Sequence, residues 1–159
     1  MAEDIKTKKL KVKYIIKQAL YEGNYRYEEL KPKEPEGDYI LFFSEEIDNK
    51  SDNIWSLRIQ PKIEADTSRL RLLFRLEKIH CESTQVDAII GELNTINQEV
   101  FMGNFYLGKD MQIYFKISVD FTFLELNMAT IIRLIALGNS SVSEHYGKLN
   151  DLAQGQNNG

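Results

Sequence analysis

The 159-residue chain contains a single cysteine, Cys81, so no internal disulfide can form, and a lone thiol fits a reducing compartment. It has no apolar run near the ~18 residues that a membrane-spanning helix needs. The most apolar stretch, residues 121–137, is interrupted by Thr122, Glu125, Asn127, Thr130 and Arg133. The first residues carry Glu3 and Asp4 and lack an apolar core backed by small residues. That argues against a secretory signal and makes the cytoplasm the expected location. Imidazoles are scarce as well: His80 and His145 are the only two. His80, Cys81 and Glu82 are adjacent, and adjacent residues cannot converge on a tetrahedral metal. No base is aligned with Cys81 by the sequence, so nothing activates it as a nucleophile. Neither GxGxxG nor GxxxxGK[ST] occurs. Carboxylate pairs such as Glu45 and Glu46 fall in a polar loop, whereas a general acid and base need burial to shift their pKa values. Positive charge is not in excess either. Twenty Lys and Arg against 24 Asp and Glu leave a net charge of −4, which argues against nucleic acid or an acidic membrane as the main partner. The expectation is a protein that is not an enzyme and uses no cofactor and no metal.

What the chain does have is a globular composition, 43% apolar and 28% charged, at a length that suits one domain. We place that domain at residues 8–153, with flexible termini at 1–7 and 154–159. In residues 8–22, Val12, Ile15, Ile16, Ala19 and Leu20 recur at helical spacing, and Gly23 is placed to end the helix. Residues 24–30 read as an extended arm, and residues 31–38, with two of the three prolines, as a loop. Residues 39–44 form a nearly continuous apolar strand. In residues 54–60, Trp55, Leu57 and Ile59 alternate with Ser56, Arg58 and Gln60, and Pro61 is expected to end the pairing. In residues 69–77, Leu70, Leu72, Phe74 and Leu76 face one way and Arg69, Arg71, Leu73 and Arg75 the other.

The period then changes. Val86, Ile89, Ile90, Leu93, Ile96, Val100 and Phe101 mark an amphipathic helix of about five turns, with Ser83 or Thr84 as its N-cap and Gly103 as its stop. A hairpin follows, turning at Gly108-Lys109-Asp110, and its second strand alternates Ile113, Phe115, Ile117 and Val119 with Gln112, Tyr114, Lys116 and Ser118. Residues 124–137 are helical, with a break expected at Gly138-Asn139-Ser140-Ser141 before a final stripe of Val142, Tyr146, Leu149 and Leu152. The order α-β-β-β-α-β-β-α indicates an α+β fold: one antiparallel sheet of about five strands with helices mainly on one face. The nine apolar strand residues from Trp55 to Ile117 should share a core with Ile89, Ile90 and Leu93.

Three clusters of residues stand out. The polar strand faces collect Arg58, Arg69, Arg71, Arg75, Tyr114 and Lys116, a basic and aromatic surface on an acidic protein that could receive an acidic partner. Cross-strand pairing with carboxylates, or cover by part of a helix, is the competing use of the same residues. Asn94 and Asn97 lie late in the middle helix, where their amides would serve backbone groups of the following hairpin. Leu126, Leu134 and Leu137 spill outside the main apolar stripe of the last helix, so a homodimer is expected, formed through these residues or the adjacent edge strand.

The segment Leu93-Asn94-Thr95-Ile96-Asn97 followed by Gly103-Asn104-Phe105, with Leu20-Tyr21-Glu22-Gly23 and Tyr25 upstream and Tyr146 and Leu149 downstream, resembles the YbjN-like family. The resemblance spans residues 8–152 and extends to cyanobacterial and plastid members of uncharacterised function. It implies a fold similar to that of type III secretion chaperones and a non-catalytic, dimeric, protein-binding or regulatory module of unknown client. No catalytic residues carry over. The alternative, from the residues themselves, is a module binding an anionic ligand or single-stranded RNA on the basic sheet face.

Overall fold

The computed structural model describes residues 4–30, 40–44 and 54–155, and for 40–44 the backbone path alone. The elements run α1 (Ile5–Glu22), β1 (Tyr27–Leu30), β2 (Ile40–Ser44), β3 (Trp55–Ile63), β4 (Ser68–Leu76), a single 3₁₀ turn (Ser83–Gln85), α2 (Val86–Glu99), β5 (Asn104–Leu107), β6 (Ile113–Asp120) and α3 (Met128–Ala153). The fold is α+β, with three helices and one sheet in the order β1-β2-β3-β4-β6-β5, every neighbour antiparallel. The sheet has one strand more than expected, because the aromatic arm after α1 pairs with β2 as an edge strand. The expected loops at 31–38 and 45–53 and the last four residues of the expected flexible C-terminus lie outside the described residues. At the other end, helix begins at Ile5, inside the segment expected to be a flexible terminus.

Period-two alternation sets the core. Trp55, Leu57, Ile59, Leu70, Leu72, Phe74, Ile113, Phe115 and Ile117 are all buried on one sheet face, so the strand register is the expected one. Trp55 meets Phe74 edge-on, with ring centroids 5.2 Å apart and planes at 71°, and Phe105 lies 4.6 Å from Phe115. From α2, Ile89 and Leu93 join this core, whereas Ile90 points to solvent at 42% exposure. Ile96, one turn beyond Leu93, takes the place in the core expected of Ile90.

Local details depart from expectation for identifiable reasons. Pro61 does not end β3: it lies in register with Leu70, beyond the described β2 pairs, which end at Ile59, so no ladder donor is demanded of it. Neither Ser83 nor Thr84 caps α2 by a side-chain hydrogen bond, since both fall in the preceding 3₁₀ turn. Asn24 (φ 57°), not Gly23, takes the left-handed conformation after α1. Phe101 lies past the end of α2 and is 99% exposed, not part of its apolar stripe.

The largest correction concerns α3, which runs unbroken through Gly138. That glycine is a contact, not a break. A Cβ there would sit 2.1 Å from Phe74 Cζ, so its absence lets the helix settle on the sheet. Trp55 Nε1 donates to Asn139 Oδ1 at 2.6 Å, and the Tyr146 hydroxyl donates to the Glu77 carbonyl oxygen at 2.6 Å, which fixes α3 against β3 and the end of β4. Asn127 caps its start by accepting from the Thr130 N–H at 2.9 Å. With α1 and α2 also packed on it, α3 has neighbours on several sides. All three helices thereby cover the apolar side of the sheet.

Candidate functional site

The opposite side of the sheet is a ladder of polar rows, set by the same alternation that built the core. Ser56, Arg75 and Tyr114 lie side by side on β3, β4 and β6. Arg58, Leu73 and Lys116 form the next row, Gln60, Arg71 and Ser118 the third, and Lys62, Arg69 and Asp120 the fourth. On the edge strand β5, Tyr106 continues the first row beside Tyr114 and Asn104 the second beside Lys116. The six residues singled out from the sequence, Arg58, Arg69, Arg71, Arg75, Tyr114 and Lys116, therefore share one contiguous face. Strand spacing of about 4.8 Å and a two-residue repeat of about 6.7 Å place their side chains within reach of a single ligand.

Part of this charge is answered within the chain. Arg75 holds Glu77 with two hydrogen bonds, of 3.0 and 3.1 Å, and the Ser56 hydroxyl donates to the same carboxylate at 2.6 Å. Burial pushes the Glu77 carboxyl up, but hydrogen bonds from Arg75 and Ser56 outweigh it and leave its pKa below the usual range. Glu77 in turn raises the pKa of Arg75 by accepting its hydrogen bonds. Arg69 has only a loose contact with Asp120, 3.9 Å away, with both side chains exposed. Arg71 donates to the neutral Gln60 side chain. Arg58, Arg71 and Lys116 have no carboxylate partner among the described residues.

The aromatic end of the face is ordered by its own contacts. Tyr106 and Tyr114 stack with centroids 5.3 Å apart and planes at 17°, and Lys116 Nζ lies 5.8 Å from the Tyr106 ring centre. The Tyr114 hydroxyl donates to Asp110, and burial followed by that bond pushes its pKa up. Two open grooves cross the face. One, of about 190 Å³, is lined by Ser56, Arg58, Leu73, Arg75 and Tyr114. The other, of about 570 Å³, runs past Gln60, Lys62, Arg69, Arg71, Ser118 and Asp120. Tyr106 escaped the sequence reading because β5 is only four residues long, too short for alternation to assign a face.

The other candidates separate cleanly. Asn97 Nδ2 donates to the Phe105 carbonyl oxygen at 2.9 Å and its Oδ1 accepts from the Phe105 N–H at 2.7 Å, so one side chain closes part of the free edge of β5. Asn94 is exposed and makes no such bond. Leu126 and Leu134 are each only 6% exposed and are covered within their own chain; Leu137 is half-buried. Leu134 is covered because α3 packs against α1, α2 and the sheet together, whereas Leu126 lies before the helix, which begins at Met128 and not at residue 124. Cys81 is buried, and burial pushes its thiol pKa up, away from a nucleophile's. His145 stacks edge-on with Phe105 at 5.7 Å. Among the described residues no three His, Cys, Asp or Glu side chains group as metal ligands, and no helix is long and apolar enough to cross a membrane.

Comparison with known proteins adds one finding. A family model described as "YbjN: Putative bacterial sensory transduction regulator" matches residues 49–150. The match includes β3, β4 and β6, the three strands that bear most of the cationic face. No curated protein matches the chain.

Proposed function

Because the chain belongs to the YbjN family, whose description is that of a regulator, we propose that it is a non-catalytic regulatory module that binds an acidic segment of a partner protein on the face of its sheet opposite the helices. The observation that carries this reading is the row structure of that face. Arg58, Arg71 and Lys116 stand on three neighbouring strands without carboxylate partners among the described residues, on a chain whose net charge is −4. Among the described residues Arg71 meets only the neutral Gln60 side chain and Lys116 only the Tyr106 ring, whereas Arg is well shaped to take a carboxylate in a two-point contact. All three helices lie on the other side, so a partner reaches the face without moving them.

A second reading, single-stranded RNA, draws on the Tyr106–Tyr114 stack beside Lys116. Capture from source lysate separates the two. A protein partner survives nuclease and is released gradually as salt screens a few ion pairs. RNA is lost with nuclease, and its affinity falls steeply with salt. We expect nuclease-resistant capture of an acidic protein, reduced by Arg58→Glu/Lys116→Glu. Capture that disappears with nuclease, or that the double variant leaves intact, removes the proposal.

A further inference from the structure

Leu73 is the one aliphatic side chain on the polar side of β3, β4 and β6. Its cross-strand neighbours are Arg58 and Lys116, and Arg71 and Arg75 sit two residues away on its own strand. It is half-buried, and it borders the groove of about 190 Å³ that Ser56, Arg58, Arg75 and Tyr114 also line. An apolar spot is thus ringed by four cations. A purely acidic ligand would satisfy the ring and leave Leu73 wet. A purely apolar ligand would cover Leu73 and strip water from the cations without compensation. Only a ligand with both characters answers both.

Resting on the reading above, we infer that the recognised segment is extended and carries an apolar side chain flanked by acidic residues at the second position on either side. Alternate residues of an extended chain repeat at about 6.7 Å, the same repeat that separates Arg71, Leu73 and Arg75 along β4. A segment of the form acid–x–apolar–x–acid laid along β4 sets its apolar side chain on Leu73 and its carboxylates toward Arg71 and Arg75. Arg58 and Lys116 then flank it on the two neighbouring strands. Arg75 is already held by Glu77, so the acid above it shares that guanidinium, while Arg71 donates to Gln60 and has no carboxylate partner among the described residues. The groove is of the order that accepts a benzene-sized ring, roughly 150 Å³, which suits Phe or Leu at the central position.

The test is fluorescence anisotropy with three labelled synthetic peptides: repeats of Glu-Ser-Phe-Ser-Glu, the same with Ser for Phe, and the same with Gln for Glu. The first should bind at least about tenfold more tightly than the second, and the third more weakly than either. Leu73→Thr, which suits a strand, should lower the first to the level of the second. Leu73→Ser serves as an independent check, and circular dichroism confirms that each variant is folded. Arg58→Glu/Lys116→Glu should weaken both acidic peptides. Equal binding of the first two peptides by the wild-type protein overturns the apolar-anchor inference and leaves acidic-segment recognition standing. No binding of either acidic peptide up to about 1 mM, the weak end of specific recognition, overturns both. Tighter binding of a labelled oligouridylate than of either acidic peptide also overturns both and assigns the face to RNA.

Discussion

At the scale of single residues, two side chains hold parts of the sheet in shape. Asn97 replaces the strand that β5 lacks, giving Phe105 both a donor and an acceptor at its outer edge. Asn97→Ala should cost about 2 kcal/mol, two modest hydrogen bonds at about 1 kcal/mol each. It should also expose an edge that invites self-association. Urea titration and light scattering measure the two effects, and a variant as stable and monodisperse as the wild type would contradict the role. Glu77 organises the first row by holding Arg75 and Ser56. Its folded pKa lies below its unfolded value, so its contribution is complete above the ordinary glutamate range of about 4.3 and is lost as pH falls through the folded value. Glu77→Gln should therefore be less stable than the wild type at pH 7, with the gap closing below about pH 4. Urea midpoints across that range test it; a gap that does not change with pH would assign the loss to packing. The amide role of Asn97 was legible in the sequence, because an amide on a half-buried helix flank needs partners. The partner residue was not, since it depends on how the hairpin folds back.

At the scale of elements, alternation fixed most of the sheet and failed where a segment was short or a residue ambiguous. Nine strand residues from Trp55 to Ile117 alternate strictly, and all are buried. Within the arm at residues 24–30, β1 spans only four residues, too few for a period to emerge. Gly138 shows the other failure. Gly-Asn-Ser-Ser reads as a helix stop because glycine disfavours a helix interior by about 1 kcal/mol relative to alanine. Here the need to seat α3 on Phe74 overrides that preference. Gly138→Ala should consequently destabilise the protein, by about 1–3 kcal/mol, although it raises helix propensity. Phe74→Leu in the same chain should recover part of that loss despite its own cost. Stability of the two single variants and the double variant forms a cycle, and strict additivity would show that residues 74 and 138 do not meet in this way.

At the scale of the whole molecule, the sheet has two sides of different chemical character. One side is apolar, aromatic and covered by three helices; the other is cationic and carries none of them. The sequence already carried this division, because Arg58, Arg69, Arg71 and Arg75 occupy the positions that alternate with the core. It did not carry the rows, since which arginine stands beside which depends on pairing between β3, β4 and β6, and β6 is more than 35 residues further along the chain than β4. Nor did it show that α3 would be covered within its own chain, because the packing of α1 on α3 is a long-range contact with no local signature. The central claim is that partner recognition resides on the cationic side. Its most direct test compares two variants with the same change in net charge: Arg58→Glu/Lys116→Glu on the sheet face, and Lys6→Glu/Arg133→Glu at exposed helical positions. Quantitative capture from nuclease-treated lysate should lose its acidic partner in the first variant and keep it in the second. Equal loss in both would reduce the effect to net charge, and loss confined to the helical variant would place recognition on the opposite side of the molecule.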